Sequence, residues 1–308
     1  MSYSHRVIAA ALIALPAVAF AATVPISEVR PLNPDGEVMV DNTKGAIVVR
    51  VADQPEVRVN GTLGDGVERL AIEGDRRHLR IRVINPQTKS WFGNWGGAQT
   101  GDTRLEITVP AHASVAVQGV SAVTDIKGVA GRRLSVNSVS GNVQVEANPG
   151  EARVESVSGD LHMHLDTSRT HVETVSGNVD LQGRINGEIS VETVSGHIVL
   201  RAEKPSDIDV SAVSGDAELR TGLAPGGQLK AQSTSGDLTL MWPATSSAQL
   251  QLNSFSGTIQ SDSGNVETPE HGSGASLKTR LGRGDASVTL ESFSGDVRVK
   301  LEGGQKQD

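Results

Sequence analysis

Eight serines stand in one local setting, each followed by glycine: Ser140, Ser158, Ser176, Ser195, Ser214, Ser235, Ser256 and Ser294. A serine nucleophile needs one hydroxyl set apart by a neighbouring base. Eight equivalent copies and no Gly-x-Ser-x-Gly elbow point to a structural serine instead. Asp160, Asp166, Asp180, Asp216 and Asp237 are the carboxylates available for polysaccharide cleavage, which needs clustered acids or a Ca²⁺ site with a basic residue. Most of them follow a glycine, where capping of a turn explains them. His162 and His164 are two residues apart, on one face of a strand, and could bind zinc or copper with a third ligand close by. His171 and His197 fall in later repeats, and Met163 between the pair reads as the inward residue. The Ca²⁺-binding Gly-Gly-x-Gly-x-Asp nonapeptide is absent. Arg283-Gly284-Asp285 spells an integrin-binding tripeptide, which a Gly- and Asp-rich chain contains by chance. No catalytic, cofactor-binding or metal residue is assigned.

The segment 85–103 departs from the rest. Trp91, Phe92 and Trp95 lie among Gly93, Gly96 and Gly97, half of the aromatics beyond the N-terminal 21 residues. This is the candidate binding loop, since exposed aromatics on a loop bind partners or glycan rings. The other reading is a cap folded over an open end of a sheet.

These residues are placed by a repeat. The glycines of the Ser-Gly pairs, Gly141, Gly159, Gly177, Gly196, Gly215, Gly236, Gly257 and Gly295, recur every 18 to 21 residues until a last step of 38. That last step reads as two units with the middle motif lost in a longer loop over 258–286. Five residues before each glycine stand Val136, Val154, Val172, Val191, Val210, Ala231, Leu252 and Leu290. Two before it stand Val139, Val157, Val175, Val194, Val213, Thr234, Phe255 and Phe293, and apolar residues return two after it and, Ser261 excepted, four after it. Alternation at period two predicts strand. Its phase changes between the fifth and second positions before glycine, which predicts a turn or bulge at the intervening Ser or Thr. Glycine suits a bend that a Cβ would obstruct.

A unit this short cannot bury its apolar face alone, and stacking unit on unit buries a continuous core. The fold expected is all-β, a parallel β-solenoid of about a dozen coils of 18–21 residues. At about 4.8 Å per coil it would be a rod on the order of 55–60 Å long. Residues 22–308 form one domain in this reading: irregular early coils over 22–130, regular repeats over 131–300 and a short polar tail over 301–308. A separate small β-domain over 22–110 is the alternative.

Residues 1–21 read as a signal peptide: Arg6, the apolar run Val7–Phe20 and the small-x-small site Ala19-Phe20-Ala21. Fourteen apolar residues are too few for a span, and no comparable run recurs, so no membrane span is expected after cleavage. The chain carries a net charge of −8 and no cysteine. Removal of Arg6 with the leader takes the charge to −9. The acidic balance, without a Lys/Arg block, argues against nucleic acid as a partner. Without cysteine no disulfide and no lipid-modified N-terminal Cys can form.

The Val-Ser-Gly-Asx-Val repeat behind a leader resembles the bacterial "putative adhesin" family with β-strand repeats, a family without an established activity. Gly45–Val49 and Leu105–Pro110 resemble its usual lead-in, and the likeness covers about 40–308. The resemblance implies a β-solenoid in the bacterial envelope and brings no catalytic residue or cofactor. The expected function is therefore a non-enzymatic, exported envelope scaffold or binding module, periplasmic or at the cell surface, with an envelope protein or a glycan as partner. A β-helical enzyme acting on polysaccharide is the alternative. An acidic cluster lining a groove with an Arg or Lys would favour the enzyme, and uniform ladders the scaffold.

Overall fold

The computed structural model describes residues 24–86, 100–270 and 273–303. Its twenty-four strands join in one mostly parallel, solenoid-like sheet, with no helix among the described residues. Each repeat supplies two strands separated by the Ser-Gly corner, for example Glu151–Ser158 and Leu161–Leu165. Strands pair in parallel with their equivalents in the next repeat, so Val136, Val154, Val172, Val191 and Val210 form one ladder. All five are fully buried, as are Val143, Leu161 and Ile198 from the ladder after the corner. Small β-branched side chains fill this narrow interior because each column needs one shape repeated at the strand spacing, about 4.8 Å.

The corner falls later than the periodicity suggests. Ser138, Ser156, Thr174, Thr193, Ser233, Ser254 and Ser292, three residues before glycine, are buried and continue the inward phase of their strands. Ser254 donates to the Gly295 carbonyl at 2.8 Å and Ser292 to that of Gly236 at 3.1 Å, bracing the bend from inside. The chain turns over the Val-Ser-Gly that follows, and the residue two before glycine points out. The expected turn at the Ser/Thr is thus corrected: these residues point inside, where Ser138, Ser254 and Ser292 serve the corner's backbone and Ser156, Thr174, Thr193 and Ser233 are buried without a hydrogen-bond partner.

Two further columns hold the corner. Ser140, Ser158, Ser176 and Ser195 donate to the carbonyls of Val120, Val139, Val157 and Val175 in the preceding coil, at 3.1–3.4 Å. The Asx side chains bond across coils as well: Asn142 accepts from the Asp160 N–H, Asp160 from Asn178, and Asn178 from His197, each at 3.1 Å. They cap the next coil's backbone, where a cap within the same turn was expected.

At both ends, stacking order departs from chain order. The strand Ala286–Ser292 lies between Gln228–Ser233 and Ala248–Ser254, parallel to both. The 38-residue step is therefore not a lost motif. The final coil inserts beneath the one before it, and Ala275–Leu281 runs antiparallel to Ala248–Ser254 on the outside. At the other end Glu37–Ala52 pairs in parallel with Ser114–Lys127 on one side and with His78–Ile84 and Thr103–Pro110 on the other. Antiparallel strands Glu56–Leu63 and Arg69–Gly74 lie beyond these. An antiparallel strand at each end blocks continuation of the parallel pattern, which limits edge-to-edge association.

One buried column carries a mismatch. Thr170 is fully buried in a ladder with Ala152 and Ile189, and its Oγ1 has no partner. Thr170→Val keeps the shape and removes the unpaired hydroxyl, so it is expected to raise stability by about 1 kcal/mol. Chemical denaturation checks this, and a loss of stability would show that the hydroxyl is satisfied in solution.

Candidate functional site

Outward positions of the repeat also form columns, and two of them make a groove. The residues two before glycine, Val139, Val157, Val175, Val194 and Val213, and Val120, two before Ala122 at the equivalent corner, are each 45–50% exposed. In stacking order Thr234, Phe293 and Phe255 continue the line. The two rings stack with centroids 4.8 Å apart and planes 8° from parallel. Four residues before glycine, or before Ala122 in the case of Gln118, runs a polar column: Asp41, Gln118, Asn137, Glu155, Glu173 and Glu192, then Ser211, Gln232, Glu291 and Asn253. Between the columns lie two depressions, one of about 610 Å³ from Asp41 to Val175 and one of about 900 Å³ from Ser211 to Phe293. One wall is an apolar stripe and the other a row of carboxylates and amides.

Period-two reasoning missed this site because it placed the second residue before glycine with the interior. The small residue just before it, Ser or Thr in seven repeats and Ala212 in the other, was the available signal that the interior position is already taken.

The eight motif glycines share the corner column. A Cβ on any of them would fall 2.1–2.5 Å from a backbone carbonyl oxygen of the coil beneath. The five aspartates singled out above are engaged between coils. Asp166 receives the Arg184 side chain and backbone N–H, which hold its carboxyl below the usual carboxylate range. Asp180 pairs with Arg201 at 3.1 Å, Asp216 accepts from the Asp237 N–H, and Asp237 pairs with Arg298 at 2.7 Å. Asp160 caps Asn178. His162 and His164 face outward around buried Met163. His171 Nδ1 lies 3.2 Å from Ser190 Oγ, and no trio of metal-ligating side chains gathers among the described residues. Arg283 and Asp285 bond to each other at 3.0 Å. Trp91, Phe92 and Trp95 lie outside the described residues. No helix among the described residues is long and apolar enough to cross a membrane.

Among solved structures the chain is similar to a "putative adhesin" from Parabacteroides distasonis, at 13% identity over 91% of this chain and 98% of that one, TM-score 0.52. A "putative lipid binding protein" from the same species matches at 12% identity over 90% and 97%, TM-score 0.48. A "putative adhesin" from Bacteroides fragilis matches at 11% over 91% and 99%, TM-score 0.44. At these identities the likeness concerns the fold alone. No curated protein matches the chain. The Toastrack DUF4097 family model matches residues 36–300, from the first long strand through the last Ser-Gly corner, and the chain belongs to that family.

Proposed function

We propose that the protein is an exported, non-enzymatic envelope scaffold, a single β-solenoid domain of about a dozen coils over 22–308 that holds a partner along its Val–Phe stripe. The observation that carries this reading is the stripe itself. Apolar side chains left half in water at successive coils, broken at Thr234, are too regular to be scattered surface residues, and an exposed apolar line of this length marks an interaction surface. The leader-like pattern of residues 1–21 supports export, and the partner class is an envelope protein or a glycan.

The groove does hold acids beside an arginine, the arrangement an enzyme would need. Asp41, however, accepts from Arg80 at 2.7 Å and Arg82 at 3.3 Å. It is three coil steps from Glu155, about 14 Å at the strand spacing, beyond the ~6.5–9.5 Å that separates an inverting pair. Glu155 and Glu173 are closer, but they stand side by side on one wall, whereas cleavage requires carboxyls flanking the bond. Glu155 is also tied to Arg153, and Glu173 has His171 3.9 Å away. These ladders support the scaffold.

The test is retention of the mature protein, starting at Ala22, on envelope material. Replacing Val157, Val175 and Val194 together with Thr is expected to reduce retention at least tenfold with little change in melting temperature, because all three side chains are outside the core. Unchanged retention would overturn the groove as the binding surface. If Ser at Trp91, Phe92 and Trp95 abolishes retention instead, the binder is the loop.

A further inference from the structure

At one end of the stripe the ladder changes from valine to phenylalanine, and we infer that this end is a subsite for a neutral glycan. The inference deepens the groove reading above and rests on it. Phe255 and Phe293 are 57% and 56% exposed, more than any valine in the column they continue. Their rings stack face to face, so the pair leaves an outer ring face and a band of ring edges as its apolar surface, and both rings line the depression.

The wall beside the ring pair is the polar column, and here its members are tied together. Glu291 accepts from Gln232 Nε2 at 2.8 Å and from Asn253 Nδ2 at 3.3 Å. Three planar polar groups from three stacked coils are therefore held in a row alongside two aromatic rings. A pyranose has that duality: one face of C–H groups, which packs on an aromatic ring, and a rim of hydroxyls, which needs amide and carboxylate partners. The remaining wall comes from Glu267, Thr268 and Pro269 and from the start of the antiparallel strand Ala275–Leu281. The depression is open to solvent, and its volume, about 900 Å³, lies in the range of small-ligand sites.

The charges select among ligands. Glu267 and Glu291 line the depression, and among the described residues no Lys or Arg does. An anionic ligand, whether a phosphate headgroup or a uronic acid, meets like charge there. An acyl chain would cover the amide row without giving it hydrogen-bond partners, a cost that an apolar contact does not offset. A neutral sugar satisfies both walls.

Titration calorimetry with chitohexaose and maltohexaose as neutral probes, polygalacturonate as anion and polylysine as cation tests the assignment. A neutral oligosaccharide is expected to bind, and polygalacturonate not. Phe293→Ala is expected to weaken binding at least tenfold with the melting temperature unchanged, and Glu291→Ala to weaken it through the rim contacts. Binding that survives both Phe255→Ala and Phe293→Ala overturns the subsite, as does no binding of either neutral probe. Polylysine binding lost in Phe293→Ala would reassign the site to a cationic partner. If neither sugar binds while the valine triple variant still loses envelope retention, the glycan subsite falls and the groove stands.

Discussion

Trp242→Ala is expected to lower the stability by about 3–5 kcal/mol, the usual cost of removing a fully buried tryptophan. The expectation rests on where the side chain lies. Trp242 is fully buried, the largest side chain in the interior, on a strand that pairs it with Leu301 of the last coil. Its Nε1–H donates to the Ser246 carbonyl at 3.3 Å, tying the ring to the turn that follows. Six after glycine, earlier coils hold Ala147, Leu165, Gly183, Ala202 and Thr221, all smaller than tryptophan, so the interior takes a larger side chain at this level. Beyond it the chain inserts its final strand out of order, and the ring fills the space beneath that insertion. Trp242→Phe keeps most of the buried area and should cost clearly less than the alanine. Denaturant unfolding followed by circular dichroism compares the two. Equal losses would mean that the indole N–H bond, not the packing, holds this coil.

The repeat made the middle of the fold legible. In coils of equal length each position keeps one environment, so aligning on glycine sorted the chain into columns and told inside from outside for most of them. Reading failed where that logic is interrupted. At the corner, a period-two pattern is compatible with either phase, and Val139 and its equivalents were assigned by type. At the ends, stacking order is a property of space. Phe255 and Phe293 are 38 residues apart in sequence and adjacent in the structure, so aligning them in one column could not reveal a stacked pair. The same insertion brings Gln232, Glu291 and Asn253 together. Trp242 was hidden for another reason. It continues the inward alternation of Leu238 and Leu240, but only the interior volume at that level explains a residue of its size.

Glycine's role at the corner divides into two physical effects, and three substitutions separate them. Gly177 has φ +153°, and a Cβ there would lie 2.3 Å from the Gly159 carbonyl oxygen. Gly141 has no positive φ, yet its Cβ would meet the Ala122 carbonyl oxygen at 2.3 Å. Gly226 has φ +78° and nothing within 4 Å. Gly226→Ala therefore reports backbone strain alone, on the order of 1–3 kcal/mol. Gly141→Ala reports the contact alone, and relief requires two coils to move apart where their backbones are bonded. Gly177→Ala suffers both and should be the most destabilising of the three, with the effect of Gly177→Val larger still. Ser176→Ala, one residue away, loses a single exposed hydrogen bond of 3.4 Å and should cost less than about 1 kcal/mol. Thermal unfolding of the set decides which effect keeps the glycine column. If Gly141→Ala is as stable as the parent while Gly226→Ala is not, backbone conformation alone accounts for the motif, and the close approach of the coils is a consequence of glycine, not its cause.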